Sequence, residues 1–186
     1  MNPIKNKKDL EETIDEIRNY AYAYLEKYSP SKQQLRTYLL KKIIKKKQKI
    51  TNKKELFNLI DTVILSLSEQ KLISDEYYSD AKSKAFLRRG YSLNKIRYNL
   101  IKKGIDGKYI NASISKIKEN ESDPDFFSAI KTCKRRRIGA CREESNRPLF
   151  YKKDISILAR SGFSYEISKK VLEISKDEFN KFCKMI

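Results

Sequence analysis

Hydrophobic residues along the chain recur mostly three and four positions apart, which is the spacing of one face of an α-helix. The clearest stripe lies in the first half of the chain and consists of Leu56, Leu59, Ile60, Val63, Ile64 and Leu67. With only 5 Gly and 4 Pro in 186 residues, the chain has too few turn residues for many antiparallel hairpins. The pattern therefore predicts an all-α protein.

The stretch over residues 86–106 predicts the end of one helix, a tight turn and a second helix. Gly90 can adopt the left-handed conformation that ends a helix without a Cβ clash. Ser92 can cap the next helix, because its hydroxyl accepts an N–H of the first turn. Gly104 is placed to end this second helix. An apolar stripe on the second helix is expected to lie beneath a basic surface.

A short internal repeat supports a modular architecture. The turn Gly90-Tyr91-Ser92 resembles Gly162-Phe163-Ser164, and each follows a basic helix end. In this alignment Leu100 is in register with Leu172, and Ser92 with Ser31, although no glycine precedes Ser31. The spacing is unequal, which indicates tandem units with insertions rather than a strict solenoid.

The repeat divides the chain into a basic tail and three helix-turn-helix-like units of three helices each. These segments are residues 1–8, 9–73, 74–118 and 119–186. The polar residues 118–124 are interpreted as a linker at the start of the third unit, or as the cap of its first helix, with Asp123 before Pro124.

Charge is concentrated in the middle of the chain. The formal net charge is +18, and residues 29–118 hold 22 basic and 7 acidic side chains. Residues 81–105 contain no acidic residue. This distribution is typical of a surface that binds a polyanion. The alternative is a solvated lysine-rich surface without a function, which also describes the lysine cluster at residues 41–49.

Ten basic residues follow as candidate contacts to nucleic acid or to an acidic protein. They are Arg88, Arg89, Lys95, Arg97, Lys102, Lys103, Arg135, Arg136, Arg137 and Arg160. For residues 135–137 a disordered loop is an equally good interpretation. Tyr91 and Phe163 are expected in the core, whereas Tyr98 is left open between burial and base stacking.

The sequence lacks the usual chemistry of an enzyme. It has no histidine, no phosphate-binding loop and no dinucleotide fingerprint. Cys133, Cys141 and Cys183 have neither metal-ligand nor disulfide-framework spacing. We expect no catalytic residue, no metal and no cofactor. Without a signal-peptide core or an apolar run of ~20 residues, a cytoplasmic location is expected.

Three segments resemble the RecX family of bacterial recombination regulators. They are LISDEYYSDAKSKA, LRRGYSLNKIRYNLIKKGID and LARSGFSYEISKKVL, which begin at residues 72, 87 and 158. The resemblance covers roughly residues 20–117 and 150–175. The family's usual paired arginine is matched by Arg88-Arg89, whereas the third unit has Arg160-Ser161.

The resemblance implies an elongated, curved array of three-helix units that acts as a monomer. It also implies binding to RecA filaments on single-stranded DNA, and perhaps equally to duplex DNA, along the filament groove. Such binding modulates, and usually inhibits, ATP hydrolysis, strand exchange and co-protease activity in the SOS response. Two alternatives stay open on the residues alone: a stand-alone DNA-binding protein, and an RNA-binding basic protein.

Overall fold

The computed structural model describes residues 7–46 and 53–186. Within these ranges the chain forms ten α-helices, two short 3-10 helices and no β-strand, so the all-α prediction is confirmed. The α-helices are α1 (Lys7–Leu25), α2 (Lys32–Lys46), α3 (Lys53–Glu69), α4 (Asp75–Arg88), α5 (Leu93–Lys102), α6 (Gly107–Asn120), α7 (Pro124–Arg136), α8 (Arg147–Arg160), α9 (Tyr165–Glu173) and α10 (Lys176–Lys184). The 3-10 helices, Gly139–Cys141 and Glu144–Asn146, lie between α7 and α8.

Two sequence predictions fall partly outside the described residues. Of the predicted basic tail at residues 1–8, only Lys7 and Lys8 are described, and they already belong to α1. Of the lysine cluster at residues 41–49, Lys47 and Lys49 lie outside the described ranges.

Helices α1, α2 and α3 build the core of a first compact unit, which contains the described part of residues 1–78 together with residues 103–105. Ile17 of α1 packs in this core with Leu35 and Leu39 of α2. The stripe predicted for α3 is confirmed, because five of its residues are buried here and Leu59 packs against them. The five are Leu56, Ile60, Val63, Ile64 and Leu67.

The second compact unit contains residues 79–102 and 106–186. Its α4, α5 and α6 contribute the buried residues Leu87, Ile96, Leu100, Ile110, Ile114 and Ile117. Its α7, α8, α9 and α10 surround a separate cluster, in which Phe126 of α7 meets Phe182 of α10 with ring centres 5.0 Å apart.

Residues 119–186 contain four α-helices and two 3-10 helices, where a three-helix unit was predicted. The additional helix is α7, in a region whose apolar spacing is weak. Its buried face includes Ser128, Ala129, Thr132 and Cys133. Small and polar side chains of this kind do not stand out in a hydrophobic pattern, although they allow close helix packing.

The polar residues 118–124 form a helix cap. Helix α6 ends at Asn120, and the Asp123 carboxylate accepts the N–H of Phe126 at 3.2 Å. Pro124 occupies the first position of α7. The interpretation of Asp123 as a cap is therefore confirmed.

A polar joint holds the start of α2 within the first compact unit. The Ser31 hydroxyl accepts the N–H of Gln34 at 3.2 Å and donates to the carbonyl of Lys103 at 2.7 Å. The Asp75 carboxylate accepts the N–H of Lys32 at 2.9 Å. We call this the first joint, and it ties the start of α4 and residues 103–105 to the first core.

A second joint, within the second compact unit, repeats this arrangement at the start of α5. The Ser92 hydroxyl accepts the N–H of Lys95 at 3.1 Å and donates to the carbonyl of Ser161 at 2.9 Å. The Asp125 carboxylate accepts the N–H of Leu93 at 2.7 Å. Each joint thus combines a serine cap, an aspartate from the first turn of a later helix and a carbonyl from a later turn.

The joints establish which helices are equivalent. Because Asp125 takes the place of Asp75, and Ser161 that of Lys103, helices α7, α8 and α9 correspond to α4, α5 and α6. Gly162 then matches Gly104, and both have positive φ, +85° and +73°.

The alignment of Gly162 with Gly90 in the sequence repeat is therefore wrong by one helix, since Gly90 lies between α4 and α5. The error has a local cause. The turns at Gly90, Gly104 and Gly162 all read glycine, apolar residue and helix cap. The local pattern cannot distinguish the first turn of a unit from the second.

Candidate functional site

The basic end of α4 is a tightly closed turn. The N–H of Gly90 donates to the carbonyl of Leu87 at 2.8 Å, and the N–H of Tyr91 donates to that of Phe86 at 3.1 Å. Gly90 has φ +75°, as predicted. The rings of Phe86 and Tyr91 stack with centres 5.3 Å apart. This turn leaves the side chains of Arg88 and Arg89 exposed to solvent.

The basic end of α7 meets this turn. The Arg135 guanidinium donates to the carbonyl of Arg89 at 2.6 Å, and the buried Thr132 hydroxyl donates to that of Gly90 at 2.9 Å. The approach is close, because a Cβ on Gly90 would lie 2.9 Å from the Cβ of Lys131. Two basic helix ends that are 46 residues apart in sequence are thereby brought together.

Residues 135–137 end α7 and do not form a separate loop. Arg135 and Arg136 belong to its last turn, and Arg137 is the C-cap in the left-handed conformation with φ +55°. All three side chains are exposed. Cations in the last turn of a helix also interact favourably with its dipole, which gives this arginine run a local structural cause as well.

Helix α5 holds three further candidates in defined positions. The Lys95 ammonium lies 4.4 Å from the centre of the Tyr91 ring, and the Lys102 ammonium lies 4.4 Å from that of Tyr98. The Arg97 guanidinium donates to the Asn111 side chain on α6 at 2.6 Å. In all three cases the partner is neutral, so the positive charge is kept.

Two predicted residues lie apart from these groups. Lys103 belongs to the first compact unit, where its carbonyl accepts the first joint. Arg160 ends α8, next to Ser161, whose carbonyl accepts the second joint. Both side chains are exposed, but no contact links either of them to the meeting point of Arg89 and Arg135 among the described residues.

The candidate cations are not neutralised by carboxylates. Among the residues that the structure describes, the ion pairs are made by other side chains. Asp125, which lies close to the start of α5, is half-buried and engaged in the second joint. Burial raises the pKa of Asp125, and the N–H of Leu93 only partly opposes this. The basic helix ends therefore present uncompensated positive charge.

One charged residue that the sequence patterns did not reveal is Asp154 on α8, whose exposed fraction is only 2%. Its carboxylate accepts the N–H of Gly139 at 3.0 Å and two bonds from the Arg142 guanidinium, both at 2.8 Å. Hydrogen bonding to Asp154 raises the pKa of Arg142. This network closes the segment between α7 and α8. A carboxylate at an otherwise apolar helix position is the signal that could have identified it.

The cysteines differ in environment. Cys133 is buried in the core around α7, and burial raises the pKa of its thiol well above the usual range. Cys141 is exposed, and Cys183 is half-buried. Cys133 is thus a buried thiol, one of the two roles expected from the sequence. None of the helices in the described ranges is both long and apolar enough to cross a membrane.

Comparison with known proteins places this helical arrangement in a family, although no family model matches the chain. The Regulatory protein RecX of Myxococcus xanthus (strain DK1622) is 28% identical over 163 residues, which are 84% of this chain and 84% of that protein. The crystal structure of RecX from Lactobacillus salivarius has a TM-score of 0.64 and covers 92% of this chain and 99% of its own, at 18% identity. The chain belongs to the RecX family.

Further RecX proteins agree with this assignment. The Regulatory protein RecX of Clostridioides difficile (strain 630) is 28% identical over 130 residues, which are 66% of this chain and 57% of that protein. A second RecX crystal structure gives a TM-score of 0.65 over 89% of this chain and 74% of its own, again at 18% identity. Such low identity supports the shared fold alone, and the resemblance stated from the sequence segments is confirmed.

Proposed function

We propose that this RecX-family chain regulates the RecA recombinase by binding RecA filaments on single-stranded DNA, along the filament groove. In this proposal the bound chain lowers ATP hydrolysis, strand exchange and SOS co-protease activity. Family membership supports the regulatory role. The charge arrangement supports nucleic acid as part of the target.

The single observation that carries the nucleic-acid contact is the meeting of the basic ends of α4 and α7 at Arg89 and Arg135. Arginine and lysine side chains bind phosphates and release counterions, so affinity falls as salt rises. For single-stranded DNA the expected slope is about 0.7 log units per log unit of salt for each neutralised phosphate. Several contacts from the two helix ends should therefore give a steep salt dependence.

The proposal assigns no chemical reaction to the chain itself. Any change in ATP turnover would arise at the active site of the recombinase, because the bound chain restricts growth or rearrangement of the filament. The partners in this proposal are the RecA filament and its single-stranded DNA, or duplex DNA. The chain acts as a monomer in the cytoplasm.

The test is ATP hydrolysis by the cognate RecA on single-stranded DNA, measured as this chain is added. We expect turnover to fall at substoichiometric amounts. Arg88→Gln combined with Arg136→Gln should weaken this effect and should lower the salt slope of DNA binding by about 1. Lys181→Gln combined with Lys184→Gln on α10 removes the same charge elsewhere and should leave both unchanged.

Other outcomes would redirect the assignment. Unchanged ATP turnover with intact DNA binding would contradict the proposal and indicate a stand-alone DNA-binding protein. A clear preference for structured RNA over DNA would indicate an RNA-binding protein. Equal effects of the α4/α7 variant and the α10 variant would show that overall charge, and not the meeting of the two helix ends, governs binding.

A further inference from the structure

The outward face of α5 carries two large apolar side chains in solvent. The exposed fractions of Tyr98 and Ile101 are 57% and 58%. They are three residues apart and therefore lie on one side of the helix. The buried stripe of α5 is formed instead by Ile96 and Leu100, which are completely inaccessible. Tyr98 and Ile101 thus contribute nothing to the core beneath the helix.

The repeated joints show that the fold does not require these two residues. In α8 the positions equivalent to Tyr98 and Ile101 hold Ser156 and Ala159, both exposed. In α2 they hold Thr37, which is exposed, and Leu40, which packs partly against the first core. An exposed pair of an aromatic and an aliphatic residue is therefore peculiar to α5.

Two cations flank the pair and keep their charge. The Lys102 ammonium lies over the Tyr98 ring at 4.4 Å from its centre, and Arg97 is held by the neutral side chain of Asn111. The apolar pair therefore has a positive border.

The composition of this face favours protein over nucleic acid. Lys102 already covers one face of the Tyr98 ring, which reduces its use as a platform for base stacking. Ile101 offers nothing to a phosphate. Tyrosine and arginine beside an aliphatic residue are typical of the residues that dominate protein interfaces.

We propose that the outward face of α5, formed by Arg97, Tyr98, Ile101 and Lys102, docks on a protein surface that has an apolar pocket bordered by carboxylates. This inference rests on the proposed function and identifies that surface as part of a RecA subunit. It also divides the labour within the second compact unit: α5 contacts protein, and the basic ends of α4 and α7 contact nucleic acid.

The experiment replaces the pair by the residues that α8 has, as Tyr98→Ser combined with Ile101→Ala. The matched control, Leu149→Ala combined with Tyr165→Ser, removes another aliphatic and another aromatic side chain, which are 78% and 61% exposed in the same compact unit. Affinity is measured for labelled single-stranded DNA alone and for RecA filaments assembled on that DNA. Circular dichroism checks that all variants are folded.

We expect the α5 variant to keep the wild-type affinity for single-stranded DNA and to bind filaments about 30-fold more weakly or worse, the loss typical of an interface hot spot. The control variant should match the wild type in both assays. Unchanged filament binding by the α5 variant would overturn the inference, and an equal loss of DNA affinity would make this face part of the nucleic-acid surface. Absence of filament binding by the wild type would instead refute the proposed function and the inference together.

Discussion

Helices α5 and α8 occupy equivalent places in their units, yet they solve the same packing problem differently. At the equivalent inward positions α5 has Ile96 and Leu100, whereas α8 has Asp154 and Leu158. A buried carboxylate costs several kcal/mol unless it is paired and hydrogen-bonded. In α8 that condition is met by Arg142 and by the backbone of the segment after α7. The comparison teaches that the fold accepts a charge in a core position when the preceding connection supplies its partners.

The outward positions differ as well, in the opposite sense. Here α5 is apolar, with Tyr98 and Ile101, and α8 is small and polar, with Ser156 and Ala159. No packing requirement acts on this face. Inward differences should therefore change stability, and outward differences should change binding.

The largest effect is expected from Asp154→Ala. The change leaves the Arg142 charge and the N–H of Gly139 without their partner, which should lower the free energy of unfolding by about 3 kcal/mol or more. Urea unfolding followed by circular dichroism measures it. Asp154→Leu combined with Arg142→Met imitates α5 and should recover much of the loss, since an apolar replacement of both partners is often neutral. A loss below about 1 kcal/mol for Asp154→Ala would show that the network is dispensable.

Much of the fold was accessible from periodicity alone. The stripe of α3, the cap at Ser92 and the turns at Gly90 and Gly104 were predicted from local patterns and are confirmed. These features depend on residues within one or two helical turns of each other, and that is the range over which a sequence pattern is informative.

The failures have a common physical origin in contacts between distant parts of the chain. Helix α7 was missed because its buried face is made of small and polar residues, and the repeat was misaligned because only the joints reveal which turns are equivalent. The basic residues were found by composition. Their convergence at Arg89 and Arg135 depends on the packing of α7 beside the α4 turn, which no local pattern encodes. The assignment of the ten cations to nucleic acid or protein stays a prediction.

The two serine caps offer the next test of the comparison. Ser92→Ala removes a cap that is buried and also leaves the Ser161 carbonyl without its donor, so about 1–2 kcal/mol of stability should be lost. Ser164→Ala removes the exposed cap of α9, whose hydroxyl accepts only the N–H of Ile167 at 3.2 Å, and should cost less than 1 kcal/mol. Both are measured as shifts of the urea midpoint. Equal losses would show that the second joint adds nothing to an ordinary cap.

Asp125 gives the second joint a dependence on pH. Its folded-state pKa is raised by burial, so the folded protein holds this proton more tightly than the unfolded chain does. Its contribution is therefore fully present below the unfolded-state pKa of about 3.9 and is lost as pH rises through the folded-state value. Asp125→Asn keeps an acceptor for the N–H of Leu93 but cannot ionise. Relative to the wild type, this variant should gain stability between pH 3 and neutral pH, as followed by urea unfolding at each pH; a constant difference would exclude the linkage.

The smallest effect on stability is expected on the outward face of α5. Tyr98→Ser combined with Ile101→Ala removes exposed side chains only, and the free energy of unfolding should change by less than about 0.5 kcal/mol. Thermal and urea unfolding provide the measurement, with Leu100→Ala as the inward reference at about 2–5 kcal/mol. A large loss in the outward variant would mean that these residues support the helix itself.

The first joint also has a consequence for how the chain is made. Ser31 caps α2 immediately, but its hydroxyl finds the Lys103 carbonyl only after 72 further residues have been added. At ~5–20 residues per second this takes about 4–14 s, whereas helices form within microseconds. During synthesis the first three helices must therefore wait, with their polar seam open to water, until the ribosome delivers the turn that closes it.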